Sequence, residues 1–236
     1  MKQETLSLKT HRRGFIGTIA ASAAAVGMAA LAPIQSAAAS IPVNENSSTD
    51  ITPDEWFNKV KGTHRIVFDA THPAEIYQFA WPRVFLLTNQ ATGSNAADCG
   101  VVVVLRHSAI GYAMQDSMWE KYKLGEVLKV NDPKTKAPAT RNPFANPQKG
   151  DFKIPGFGEV SIGINELQAD GVMFCVCDAA LTVYSANIAA AMNLDAATVK
   201  KDWSASLLKD IMVVPSGVWA VGRAQEHKCA YCFVGA

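Results

Sequence analysis

The sequence predicts an α/β domain built on an open, mainly parallel sheet of about five strands with helices on both faces. Three observations predict it. Val101-Val102-Val103-Val104-Leu105 is a β-branched run without polar alternation, which suits a strand buried on both faces. Apolar strands and helically spaced segments alternate along the chain, as in β–α units. Polar and reactive residues gather just past the strand ends, where parallel sheets bind ligands.

The chain opens on a different kind of segment. Thr10-His11-Arg12-Arg13-Gly14-Phe15-Ile16-Gly17 leads into an alanine-rich apolar run from Ile19 to Leu31, and Ala37-Ala38-Ala39 offers a small-residue cleavage site before Ser40. A charged head, an apolar middle and an A-x-A end make an export signal, and the arginine pair marks the twin-arginine route. The competing reading is a membrane anchor. Against it, the run falls short of roughly 20 spanning residues and is interrupted by Thr18, Ser22 and Gly27. Residues 1–39 are therefore expected to be a signal cut near Ala39. The protein would reach the periplasm already folded and leave the membrane behind.

The rest, Ser40 to Ala236, is long enough for one sizeable core. Removing Lys2, Lys9, Arg12, Arg13 and Glu4 from 22 basic and 21 acidic residues leaves 18 and 20, a formal charge of −2. Such a balance gives no global pull on nucleic acid or anionic lipid, and neither is expected as a partner. Five cysteines are an odd set for an oxidising compartment: at least one must stay free, bind something or pair between chains.

Residues 40–62 are read as a polar lead and a short helix, with the domain proper over 63–236. Thr52-Pro53-Asp54-Glu55 is a capping box with proline at the first helical position, and Gly62 ends the helix. His64 to Phe68 is a first strand. Pro73 to Gln90 is helix-like, with Ile76, Phe79 and Ala80 on one face, and Pro82 must kink or restart it. Val101 to Leu105 is the second strand and Gly111 to Tyr122 a helix. Gly171 to Cys177 is the third strand. Leu181, Tyr184, Ile188 and Met192 recur at helical spacing, then Val199, Trp203 and Leu207 do so again. Ile211 to Val214 is a fourth strand, Ser216 to His227 a helix, and Ala230 to Val234 a last strand. Between them, residues 125–158 hold Pro133, Pro138, Pro143, Pro147 and Pro155 with few apolar residues. That length predicts an ordered excursion, either a lid over a site or a plain surface loop. No internal repeat and no cofactor motif is read.

The strand ends define a rim. Asp69 and His72 follow the first strand, Arg106 and His107 the second, Cys177 and Asp178 the third, Ser216 and Gly217 the fourth. Cys177 is the candidate nucleophile, because a cysteine at a helix amino end faces unpaired N–H groups and the helix dipole, which favour its thiolate. Arg106 or His107 would add to this and Asp178 would oppose it. The plain alternative is a small buried hydrophobe. Cys175 would share a face with Cys177 in a regular strand and sit deeper. Cys229 and Cys232 form a CxxC that works as a redox pair only on a helix or tight turn; in a strand the two thiols point apart. His227 with this pair is a further possible metal set. Cys99 sits in a polar turn. Arg141, in Arg141-Asn142-Pro143-Phe144, either folds back over the rim to meet an anion or closes a turn.

Val103 to His107, Gly171 to Ala180 around Cys177, Val214-Pro215-Ser216-Gly217-Val218-Trp219-Ala220 and Arg223-Ala224-Gln225 resemble the DsrE/DsrF-like family from about Thr63 onward. The resemblance implies a flavodoxin-like α/β unit that assembles into homo-oligomers. It further implies sulfur relay, with a persulfide carried at the position of Cys177 between a small sulfur species or sulfur-donor protein and the next acceptor. Two features depart from it. Tyr184-Ser185-Ala186 replaces an Arg-Gly step after the cysteine helix, and the excursion and export signal are not those of cytoplasmic relay proteins. The fold carries over further than the activity. Two functions follow: sulfur or thiol chemistry at Cys177, or a non-catalytic periplasmic module holding a small anion or partner protein.

Overall fold

Residues 51–235 are described by a computed structural model, so the expected export signal lies outside the described residues. Helix α1 (Pro53–Phe57) opens on the expected capping box: Glu55 N donates to Thr52 Oγ1 at 3.3 Å and Thr52 N donates to Glu55 Oε2 at 2.8 Å. Strand β1 (His64–Ala70) leads to α2 (Tyr77–Ala91), which starts later than expected, so that Pro82 falls in its second turn and the helix runs through it. Strand β2 (Cys99–Leu105) follows, then a 3-10 helix at His107–Ala113, α3 (Asp116–Lys121) and α4 (Leu124–Val127). The single helix expected over 111–122 is broken because Met114 pairs with Leu207 and Gln115 N donates to Ser206 O at 2.9 Å. The hairpin β3 (Lys153–Ile154) and β4 (Gly158–Glu159) precedes α5 (Ile164–Ala169), β5 (Met173–Cys177), α6 (Asp178–Met192), α7 (Ala196–Ala205), β6 (Ile211–Val214), α8 (Gly217–Glu226) and β7 (Ala230–Val234).

Five strands form one parallel sheet in the order β6-β5-β2-β1-β7. The unbroken Val101–Leu105 run is its centre, and alternation divides its side chains between two cores. Val102 and Val104 join Val67, Cys175 and Val214 under α1 and α8, around Phe57, Ala220 and Ala224. Val101, Val103 and Leu105 join Phe68, Phe174 and Val176 under the remaining helices, around Phe79, Leu181 and Trp203. The expected open α/β sheet with helices on both faces is the architecture found. Parallel crossovers are right-handed, so α8, whose connection returns from β6 to β7 across the sheet, must cover the face opposite α2 and α6, where α1 joins it.

Residues 125–158 form an ordered lobe around Arg141. Its guanidinium donates from Nε to Asp132 Oδ2 and from an Nη to Asp151 Oδ2, both at 2.9 Å. Lys134 Nζ stands 3.0 Å from Asp151 Oδ1. Asn142, almost wholly buried, donates from Nδ2 to the carbonyls of Tyr112 and Met114 at 2.8 Å and so ties the lobe to the domain. Of the two roles expected for Arg141, its contacts give the second. It closes the turn, because both arms are already taken by carboxylates.

Burial alone would raise the Asp132 and Asp151 carboxyls. Backbone N–H donors and Arg141 outweigh it and hold both below the ordinary carboxylate value. A depressed carboxyl stabilises the fold above its unfolded value near 3.9, and that contribution is lost as pH falls through the lower, folded value. Acidification below about pH 4 should therefore loosen this lobe, seen as new protease cleavage within 125–158. Arg141→Gln should bring the cleavage on at higher pH; an unchanged cleavage profile would reject the role given to Arg141.

Candidate functional site

Adjacent strands β5 and β6 send their following helices to opposite faces, α6 to one and α8 to the other. In open α/β sheets, the carboxyl ends of strands whose loops part in this way are where ligands bind. Cys177 stands at the end of β5, with Ser216 and Gly217 beside it at the end of β6.

Cys177 is the N-cap of α6, and its Sγ accepts a hydrogen bond from Ala180 N at 3.3 Å. Its exposure is 6 %. This cap changes one expectation. Cys175 packs under α1 and α8, whereas Cys177 joins the core on the other face, since its sulfur turns back over the first turn of α6. Ser216 caps α8 in the same manner, accepting from Trp219 N at 3.2 Å.

Arg106 connects the rim. Its Nε and Nη donate to the two carboxylate oxygens of Asp69 at 2.6 and 2.9 Å, a bidentate pair whose carboxylate is buried. Tyr231 Oη donates to the same carboxylate at 2.8 Å. The Arg106 stem lies on the backbone of Gly217: a Cβ added there would stand 2.5 Å from Arg106 Cβ and Cδ. Asp69 raises the guanidinium further above its ordinary value, and the Cys177 sulfur adds to this from within electrostatic reach. The carboxyl ends of β1, β2, β5 and β6, with Tyr231 from near the start of β7, thus gather about one cation.

The remaining candidates are placed differently. His107 does not join Arg106 at the sulfur. Its backbone takes a left-handed conformation, φ 50°, uncommon for a residue with a side chain, and its ring lies farther along α6, the helix that Cys177 caps. There it meets Tyr184 Oη at 3.0 Å and Ser108 Oγ at 3.4 Å. Asp178, expected to oppose a thiolate, is paired with Lys200 Nζ at 3.0 Å. His72 follows β1, with Nδ1 2.7 Å from Thr71 Oγ1.

The five cysteines are free thiols. Burial pushes the thiols of Cys99, Cys175, Cys229 and Cys232 above the ordinary value. Cys229 lies in the core under α8, while Cys232, on β7, packs against the opposite core, so this CxxC is held in the arrangement where its thiols point apart. The same split separates the possible metal set with His227. Among the described residues, no group of three or more His, Cys, Asp or Glu side chains is placed to hold a metal ion, and no helix is long and apolar enough to cross a membrane. Sequence reasoning missed Tyr231. Its signal was the alternation of Ala230 to Val234, which puts Tyr231 on the same sheet face as Asp69 once β7 pairs with β1.

No family model matches the chain, and no curated protein matches it. Among solved structures, it is similar to a protein of unknown function, MTH1491, from Methanobacterium thermoautotrophicum, with 19 % identity and a TM-score of 0.36 over 72 % of this chain and 99 % of that one.

Replacing Asp69 by Asn should leave the Arg106 guanidinium without its counter-ion. The expected loss is about 3 kcal/mol, the low end for breaking a buried pair because Arg106 is 27 % exposed. Denaturant unfolding measures it; a change near zero would show that the pair does not organise the strand ends.

Proposed function

We propose that this chain is an exported sulfur-handling protein in which Cys177 accepts and carries a sulfur atom, as its resemblance to the DsrE/DsrF-like family implies. The observation that carries this reading is the Cys177 sulfur at the amino end of α6, within reach of the Arg106 charge. A helix amino end and a guanidinium both favour negative charge on sulfur, which is the form that attacks and the form that a persulfide keeps. Burial holds the four remaining thiols above the ordinary value.

The step balances without an added oxidant. The Cys177 thiolate attacks the outer sulfur of a donor persulfide or of thiosulfate. One S–S bond forms at Cys177, the donor's S–S bond breaks, and the donor leaves as thiolate or sulfite with the electron pair. A thiol only 6 % exposed admits a slender terminal sulfur better than a bulky electrophile. The donor is a small sulfur species or a sulfur-donor protein, the chain works as a homo-oligomer, and the compartment is the periplasm.

The low exposure of Cys177 also favours a second reading, in which the strand ends where α6 and α8 part only hold a small anion. One experiment separates the two. The reduced full chain is treated with thiosulfate, and its cysteine peptides are mapped by mass spectrometry. Sulfur transfer predicts one added sulfur on Cys177, lost in Cys177→Ser and kept in Cys175→Ser. No addition at Cys177, with thermal stabilisation by sulfite unchanged in Cys177→Ser, would reject transfer in favour of binding.

A further inference from the structure

We infer that the lobe at 125–158 forms a binding site for an organic anion with a flat apolar body, such as an aromatic carboxylate or sulfonate. This inference is independent of the chemistry at Cys177. The lobe and the turn after β1 line a half-open cavity of about 470 Å³, a volume suited to one small molecule. None of Cys177, Arg106 or His107 lines it.

Its wall is aromatic. Phe144 and Phe152 stack at 4.6 Å with their planes 9° apart, and Tyr112 meets Phe144 edge-on at 5.4 Å. Ile76 and Ile154 extend this apolar lining. Phe144 is buried and also packs on Phe79 at 4.3 Å, so the flat face offered to a ligand is that of the half-buried Phe152, on which a planar ring packs better than a branched chain.

Its charge is cationic. Lys129, Lys136 and Lys153 line the cavity, and among the described residues none of them has a carboxylate within ion-pair distance. Asp151 also lines it, but this carboxylate is already met by Lys134 and Arg141. Glu75 is the remaining lining acid, and Glu159 faces Lys153 across the β3–β4 hairpin. Three cations against these acids favour an anion, and the aromatic wall requires that it carry an apolar body. Inorganic phosphate would fit the charge but leave the wall uncovered.

The hairpin borders the cavity. Phe157, at its tip, is 81 % exposed, and it is flanked by Gly156 and Gly158, which take φ of 84° and 78°. Ile154, at the base of that turn, is part of the lining. Glycines make this turn without side-chain strain, and the turn displays Phe157 beside the lining residue Ile154.

The test compares two fluorescent probes with the same apolar body, anilinonaphthalene sulfonate and neutral phenylnaphthylamine, titrated into the full chain at physiological salt. The sulfonate should bind saturably at one site per chain and more tightly than the neutral probe. The triple variant Lys129→Gln, Lys136→Gln, Lys153→Gln should bind the sulfonate about tenfold more weakly, the sum of three partly screened ion pairs, with little change for the neutral probe. These lysines are exposed, and glutamine adopts the left-handed backbone at 129 and 136 no less readily, so the variant should fold. Cys177→Ser should bind as the parent does. Equal binding of the two probes, sulfonate binding unchanged in the triple variant, or no saturable binding to the parent would overturn the inference.

Discussion

The bidentate pair between Arg106 and Asp69 is the constraint on which the rim depends. It joins the residue after β2 to the end of β1, and the Tyr231 hydroxyl brings in β7 through the same carboxylate. Gly217 has no side chain to hold the Arg106 stem away from α8, which brings in the end of β6. Removing one partner from such a pair costs more than the pair itself contributes, because a charge is left behind without compensation. The rim therefore behaves as a single unit.

Topology decides where that unit faces. Four strands are laid down in one direction across the sheet, and the fifth is reached by a return crossing under α8. That return sends the helices after β5 and β6 to opposite faces, with Cys177 where they part. The amino ends of a 15-residue and a 10-residue helix stand there, each capped by the side chain of the residue just before it, sulfur in one case and hydroxyl in the other. The sulfur is thus aimed by backbone geometry rather than by a neighbouring side chain. His107, in a left-handed backbone conformation, is held by Tyr184 of α6.

Much of the architecture was legible because it depends on local pattern. Strands β2, β5 and β6 are short apolar runs, α6 and α7 repeat at helical spacing, and Thr52-Pro53-Asp54-Glu55 caps α1 as read. Strand ends follow from the strands, so Cys177, Arg106, Asp69, Ser216 and Gly217 could all be placed on one rim. What escaped depends on long-range register or on a single torsion. Arg106 and Asp69 are 37 residues apart and Tyr231 and Asp69 are 162 apart, so their meeting is settled by strand pairing. The direction of His107 turns on one φ angle. Within the excursion, the prolines announced irregular backbone but gave no sign that Arg141 would be spanned by Asp132 and Asp151, or that Phe144 and Phe152 would stack.

The central claim is that Cys177 owes its chemistry to the position it shares with Arg106. The most direct measurement is the rate of iodoacetamide alkylation at each cysteine near neutral pH, followed peptide by peptide in the parent chain and in Arg106→Gln. The account predicts that Cys177 reacts ahead of the four buried-shifted thiols and slows in the variant. Alkylation of Cys177 no faster than that of Cys175, or at the same rate without the guanidinium, would contradict it.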